Sequence, residues 1–346
     1  MKSLRFFMAF TALSLMLFAG CKDVVDHPVN PVNPDLAEVV PTSCTNPPIR
    51  SWLFAQFAIW GQGPTLIYAS EELQLSNLAI FHALYFENSS ENQYYGVKGE
   101  YTDQINKSLK DLKNFWDIEA KNIVTVAAHG SMLQDRGKVI KMYTKIYGYS
   151  NEKANKYADS LATLFKIYPQ YSNGDHPAFT FNQLAIPDTL FANVGQVPAK
   201  IIIGDGSLQG FDTLGYGKTA PQSILAHEVG HLIQYDLGIL KPGMKLTPKT
   251  SRRFELMADA YAAYFLAHTR GAAMQLNELQ QVAEVFFNTG DCEFTIDGHH
   301  GTPTQRKAAT EWGYNLARNA DNKDHIIGSR EFASLFDAVL NDIIKK

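Results

Sequence analysis

Residues 226–232 read Ala-His-Glu-Val-Gly-His-Leu, and the His-Glu-x-x-His within them constrains this chain more than any other stretch. Side chains four apart fall on one face of an α-helix, one turn above the other. His227 and His231 can offer two imidazole nitrogens to one ion only if this stretch is helical and that face borders a cleft. Glu228 follows the first histidine directly and can reach a water beside the ion as a general base. The expected chemistry is metal-assisted hydrolysis of a peptide bond, with Zn2+ as the metal. A catalytic zinc takes three protein ligands and keeps one position open, so a third ligand must come from elsewhere.

One extension of the motif supplies a third histidine after His-x-x-Gly-x-x, but here Gln234 and Leu237 occupy the Gly and His positions. A carboxylate from a following helix is the other solution. Arg253-Phe254-Glu255-Leu256-Met257-Ala258-Asp259 offers two acids on one helical face. Glu255 is assigned as the third ligand and Asp259 as the acceptor that holds a ligand imidazole in its tautomer. Asp259 as ligand in place of Glu255 is the alternative, and another divalent metal fits the same donor types. Further on, His299-His300-Gly301-Thr302-Pro303-Thr304-Gln305-Arg306 precedes a helix and can aim His300 and Arg306 at the cleft. His82, His129, His176, His268 and His299 read as structural or exposed.

Around these motifs the chain divides by pattern. Apolar spacing predicts helices over 71–86, 101–120, 131–147 and 151–168. Short strands follow at 179–181 and 200–203; the second is either a sheet edge that aligns substrate or a plain core strand. Gly210, Gly215 and Gly217 suggest a flexible connection. Pro221 opens the metal-site helix, which Gly238 ends. Further helices are expected over 251–268, 272–287, 303–318 and 330–346, with a loop at 289–302. Residues 49–346 therefore read as one domain, with a helical part at 49–170 and the metal-site part at 171–346.

The N-terminus reads differently. Lys2 and Arg5 precede an apolar run from Phe6 to Phe18 that is short for a membrane span, then Leu17-Phe18-Ala19-Gly20-Cys21. This resembles the lipobox of bacterial lipoproteins, which implies a signal peptide at 1–20 and lipid on Cys21; a plain signal peptide or an N-terminal anchor is the other reading. Lys22, Asp23 and Asp26 resemble a surface-export tag or form an ordinary polar tether. Residues 21–48, with Pro31, Pro34, Pro41, Pro47 and Pro48, read as a proline-rich tether. The net charge of −4 over 346 residues carries no basic excess, so nucleic acid is not an expected partner. Cys44 and Cys292 remain, and an oxidising compartment permits their pairing.

Taken together, His-Glu-Val-Gly-His, Arg-Phe-Glu-Leu-Met-Ala-Asp-Ala and His-Gly-Thr-Pro-Thr-Gln-Arg resemble the neutral zinc metallopeptidases of bacteria, a gluzincin-like family. The resemblance covers roughly residues 200–318, and Ala260 stands where a Cys commonly follows the Asp. It implies an α+β, mostly helical fold with a zincin-like core: an active-site helix, a short mixed sheet and C-terminal helices. It also implies metal ligands His227, His231 and Glu255, with Glu228, His300 and Arg306 as catalytic groups. The partner expected is a peptide or protein substrate, and the location a lipid-anchored one in the bacterial cell envelope, at the outer membrane, periplasmic or surface-exposed. The competing expectation is a catalytically inactive metal-binding scaffold that binds envelope proteins. An adhesin in which the motif is accidental ranks last.

Overall fold

The computed structural model describes residues 36–60, 68–118 and 123–346. The signal peptide expected at 1–20, Cys21 and the first part of the expected tether lie outside the described residues.

The chain is α+β and mostly helical. Helix α1 (Pro48–Ile59) is followed by α2 (Leu75–Phe86) and α3 (Thr102–Phe115), strand β1 (Val124–Ala128), and helices α4 (Arg136–Lys145) and α5 (Asn151–Ile167). Strands β2 (Gln183–Ile186), β3 (Thr189–Phe191), β4 (Gly195–Val197) and β5 (Lys200–Gly204) come next. The remainder is helical: α6 (Asp205–Thr213), α7 (Ala220–Asp236), α8 (Pro248–Ala267), α9 (Leu276–Thr289), α10 (Pro303–Arg318) and α11 (Ser329–Ile343).

Several expectations are corrected in detail. Residues 131–147 are not one helix: a 3-10 turn at Gly130–Gln134 precedes α4, because the Asp135 side chain caps α4 by accepting from the Lys138 N–H. Phe179–Phe181 is not a strand; Pro177–Phe179 is a 3-10 turn and the strand begins at Gln183. The connection after β5 is not flexible but holds α6. The stretch Pro48–Ile59 is α1, with Pro48 in its first turn.

The main sheet has the order β1-β5-β2, with β1 parallel and β2 antiparallel to β5. Strand β5 is therefore central and buried along its length, which excludes the edge reading for Ile201–Ile203. Its two faces serve different layers. Ile202 joins Ile80, Ala83 and Leu84 of α2, while Ile201 and Ile203 join the core that includes Ile224, Leu225 and Val229 of α7. Lys200 stays in so apolar a strand because its Nζ donates to the Ala83 and Leu84 carbonyls and to Asn88 Oδ1, at 3.1, 2.7 and 2.8 Å. It thus satisfies the C-terminal carbonyls of α2.

Two glycines let the helices of the metal site approach one another. A Cβ on Gly230 would lie 2.9 Å from the Ala258 Cα, and one on Gly313 would lie 2.3 Å from the Ala260 carbonyl oxygen. Helix α8 is accordingly pressed between α7 and α10, and its alanines are fully buried. A mid-helix glycine costs roughly 1 kcal/mol against alanine, which the close packing offsets.

Candidate metal centre

Helix α7 starts at Ala220 with Pro221 in its first turn and ends before Gly238, which adopts φ +69°. The histidine spacing therefore lands on one helical face, one turn apart. Helix α8 is started by a capping box between Thr247 and Thr250 and crosses α7 where Gly230 meets Ala258. That crossing brings Glu255 to the histidines. His227 Nε2 and His231 Nε2 are 3.1 Å apart, and each is 3.4 Å from a different oxygen of Glu255. Two ligand atoms of a tetrahedral ion with bonds of about 2.0–2.1 Å lie about 3.3 Å apart, so the two ring nitrogens and the Glu255 carboxylate have the spacing of one coordination shell. Among the described residues, this is the one group of three or more such donors that converges within 4.8 Å.

The tautomers are set by neighbours. His227 Nδ1 is 2.9 Å from Asp259 Oδ1, and a carboxylate there requires the proton on Nδ1. Gln234 Nε2 donates to the Phe254 carbonyl at 2.7 Å, which orients its amide so that Oε1 faces His231 Nδ1 at 3.1 Å. In the neutral rings both Nε2 lone pairs then point at one place. Two such lone pairs at 3.1 Å repel unless a proton or a cation lies between them, so the donor set fits a metal ion. Asp259 takes the place expected of it. Gln234 was noted only for displacing a glycine, and its second role follows from lying three residues after His231, within one helical turn.

Charge in this cluster is tightly balanced. Burial pushes the His227 imidazole down, but its hydrogen bonds to Asp259 and Glu255 and their charges outweigh that and carry it up to about 9. Burial likewise pushes Glu255 up, but His300 and His231 and the hydrogen bonds from both ligand histidines hold it well below the carboxylate range. Glu228 is 3% exposed, its Oε2 has no hydrogen-bond partner, and burial raises it. A carboxylate left in that condition is poised to take a proton.

The loop and helix beyond α9 complete the surroundings. Thr302 and Gln305 cap α10 reciprocally and Pro303 sits in its first turn, so this part of His-Gly-Thr-Pro-Thr-Gln-Arg is a helix start. Arg306 is 1% exposed. Its Nε and Nη2 engage both oxygens of Asp259, and its Nη1 donates to Glu255 Oε2 at 2.8 Å and to the His300 carbonyl at 3.4 Å. Four of its five N–H groups are thereby engaged, so Arg306 holds the two acids. His300 lines the cavity beside the triad, with its backbone N–H and its Nδ1 both on Asp291 Oδ2, at 2.8 and 3.1 Å. Asp291 also holds His299 Nδ1 at 2.6 Å. Sequence reasoning missed Asp291, one acid in a loop rich in Gly, Asp and His.

No family model, curated protein or solved structure matches this chain.

The cavity at the triad measures about 270 Å³. Asn182 and residues 183–185 of β2, an edge strand, border it together with α1, α7 and α8. Cys44 and Cys292 form a disulfide, which joins the segment before α1 to the loop that holds His300. The last part of the expected tether is also docked: Arg252 Nη2 donates to the Ala37 carbonyl at 2.7 Å, and Lys249 pairs with Glu38 at 2.5 Å. His129, His176 and His268 are structural, being held by Asp205, by Trp60 and by the His325 carbonyl.

Proposed function

We propose that the protein is a zinc-dependent peptidase with a zincin-like core, in which His227, His231 and Glu255 hold the metal. The observation that carries this reading is the convergence of His227 Nε2 and His231 Nε2, 3.1 Å apart, on the Glu255 carboxylate, a different oxygen of which lies 3.4 Å from each, bordered by an open cavity and by a buried, unpartnered carboxylate oxygen of Glu228. Zinc supplies a Lewis acid that polarises a carbonyl and makes water acidic enough to lose a proton near neutral pH.

The chain's own groups do the rest. Glu228 takes the proton from water and returns it to the leaving amine. His300, fixed through Nδ1 by Asp291, donates to the oxygen that becomes negative. Asp259 keeps the His227 lone pair on the metal side, and Arg306 locks Asp259 and Glu255 in place as a positioning residue. An extended peptide pairs with the outer edge of β2. The N-terminal pattern adds a lipid on Cys21 and a place in the bacterial cell envelope, which a Cys21→Ser variant tests through loss of labelled palmitate.

Purified full-length protein is assayed for bound metal and for cleavage of a peptide library, beside Glu228→Gln. The expected result is about one zinc per chain in both and cleavage only by the wild type, lowered at least 100-fold in the variant. Absence of bound metal at neutral pH overturns the reading. Bound zinc without cleavage turns it into that of a metal-binding scaffold.

A further inference from the structure

The cavity beside the triad has walls chosen for something larger than a peptide backbone. Helix α1 lays Leu53, Phe54 and Phe57 along one side, at helical spacing, and Phe181 and Phe211 also face it. A cavity of about 150 Å³ with apolar walls is enough to take a benzene ring, and this one measures about 270 Å³. The charged groups that border it are engaged. Arg50 pairs with Glu293, Asp291 with His299 and His300, and Glu255 with the ligand histidines and Arg306. An acidic substrate side chain entering here would find no unengaged cation among them and would be repelled by the lone oxygen of Glu228.

Helix α1 is also fixed where it stands. The Asn288 side chain accepts from the Ile49 N–H at 3.0 Å, Arg50 reaches Glu293, and the Cys44–Cys292 bond ties down the chain just ahead of the helix. On its other side α1 seats against Gly210, where any Cβ would lie 2.8 Å from Trp52 and 3.0 Å from Ile49. A wall held at so many points is preorganised, and binding against it loses little conformational entropy.

We infer that the cavity is a specificity pocket for a large apolar side chain, aromatic or long aliphatic, next to the bond that is cut, and that α1 selects it. This rests on the peptidase reading above, so its test uses binding and not turnover. The zinc-loaded full-length protein is titrated by calorimetry with N-acetyl hydroxamates of Phe, Leu, Ala, Asp and Lys. These anchor on the metal and differ only in the side chain offered.

The Phe and Leu probes are expected to bind at least tenfold tighter than Ala, from the apolar surface they bury, with Asp weakest. In Leu53→Asp the Phe-to-Ala ratio collapses toward one. Phe54 is 42% exposed, so Phe54→Asp changes the wall with less risk to folding and lowers the ratio severalfold. The inference is overturned if Ala or Asp binds within twofold of Phe in the wild type, if both variants keep the wild-type ratio, or if no probe binds. Selective binding with no cleavage of any peptide supports the pocket and overturns the peptidase reading instead.

Discussion

Two histidine–aspartate pairs in this molecule have nearly the same geometry and very different surroundings. His227 Nδ1 lies 2.9 Å from Asp259, and His129 Nδ1 lies 2.8 Å from Asp205. The second pair sits where β1 and β5 end side by side, with Ala128 opposite Gly204. There the His129 ring stacks on Tyr94, centroids 3.9 Å apart, and the second oxygen of Asp205 has no partner. In the first pair the far nitrogen of the ring meets His231 and Glu255, and Arg306 clamps the acid from behind. A histidine held by a carboxylate is thus common property of a structural post and a proposed ligand. What distinguishes them is whether other donor atoms converge on the free nitrogen.

The sharpest way to break this comparison is to remove each histidine. His227→Ala is expected to abolish zinc binding and peptide cleavage, by metal analysis and assay. His129→Ala should keep its zinc and lose about 1–2 kcal/mol of stability in urea. Removing the acids comes next. Asp259→Ala leaves the Arg306 guanidinium buried with half its partners gone, which should cost about 3–5 kcal/mol. It should also weaken zinc roughly 10–100-fold, measured by chelator competition. Asp205→Ala should cost about 1–3 kcal/mol and leave zinc affinity as it was.

A smaller effect tests convergence itself. Gly230→Ala inserts a methyl 2.9 Å from the Ala258 backbone, so α7 and α8 must separate. A loss of about 1–3 kcal/mol is expected, with weaker zinc binding although every ligand is retained. Unchanged zinc affinity would show that the helix crossing does not set the donor spacing.

The gentlest probe is pH. In the metal-free protein the His227 imidazole is raised from 6.5 to about 9, so the folded state binds its proton more tightly than the unfolded one. Its contribution to stability is complete below about 6.5 and is lost as pH rises through about 9. Urea midpoints of metal-free protein should fall across that interval, while zinc affinity, which requires the proton to leave, should rise. Asp259→Asn should flatten both slopes.

These residues also show what the sequence could carry. His227, His231, Glu255 and Asp259 were legible because helical periodicity alone places each pair on a face, and the start of α10 at Pro303 was legible from its cap. The sheet was less so. Ile201–Ile203 is a strand, but edge or centre depends on which strands pair with it, and β2 had no strong alternation to announce itself. Asp291 and the Cys44–Cys292 bond join positions that only the finished fold brings together. Arg306 was recognised, but its hold on both acids was not, because its partners on α8 lie 47 and 51 residues away and no local pattern reports them.

The bond between Cys44 and Cys292 imposes an order on the making of this protein. The two thiols are separated by 248 residues, and chains are synthesised at about 5–20 residues per second. Cys44 therefore waits on the order of ten to fifty seconds for a partner, and Cys21 is nearer to it throughout. The three side chains of the proposed ligand set, residues 227 to 255, exist before Cys292 does, and Arg306, which holds Glu255, comes after it. The brace on α1 and the clamp on Glu255 thus both wait for residues made after the proposed ligands, so a chain in which Cys44 is oxidised to another thiol would leave α1 unbraced.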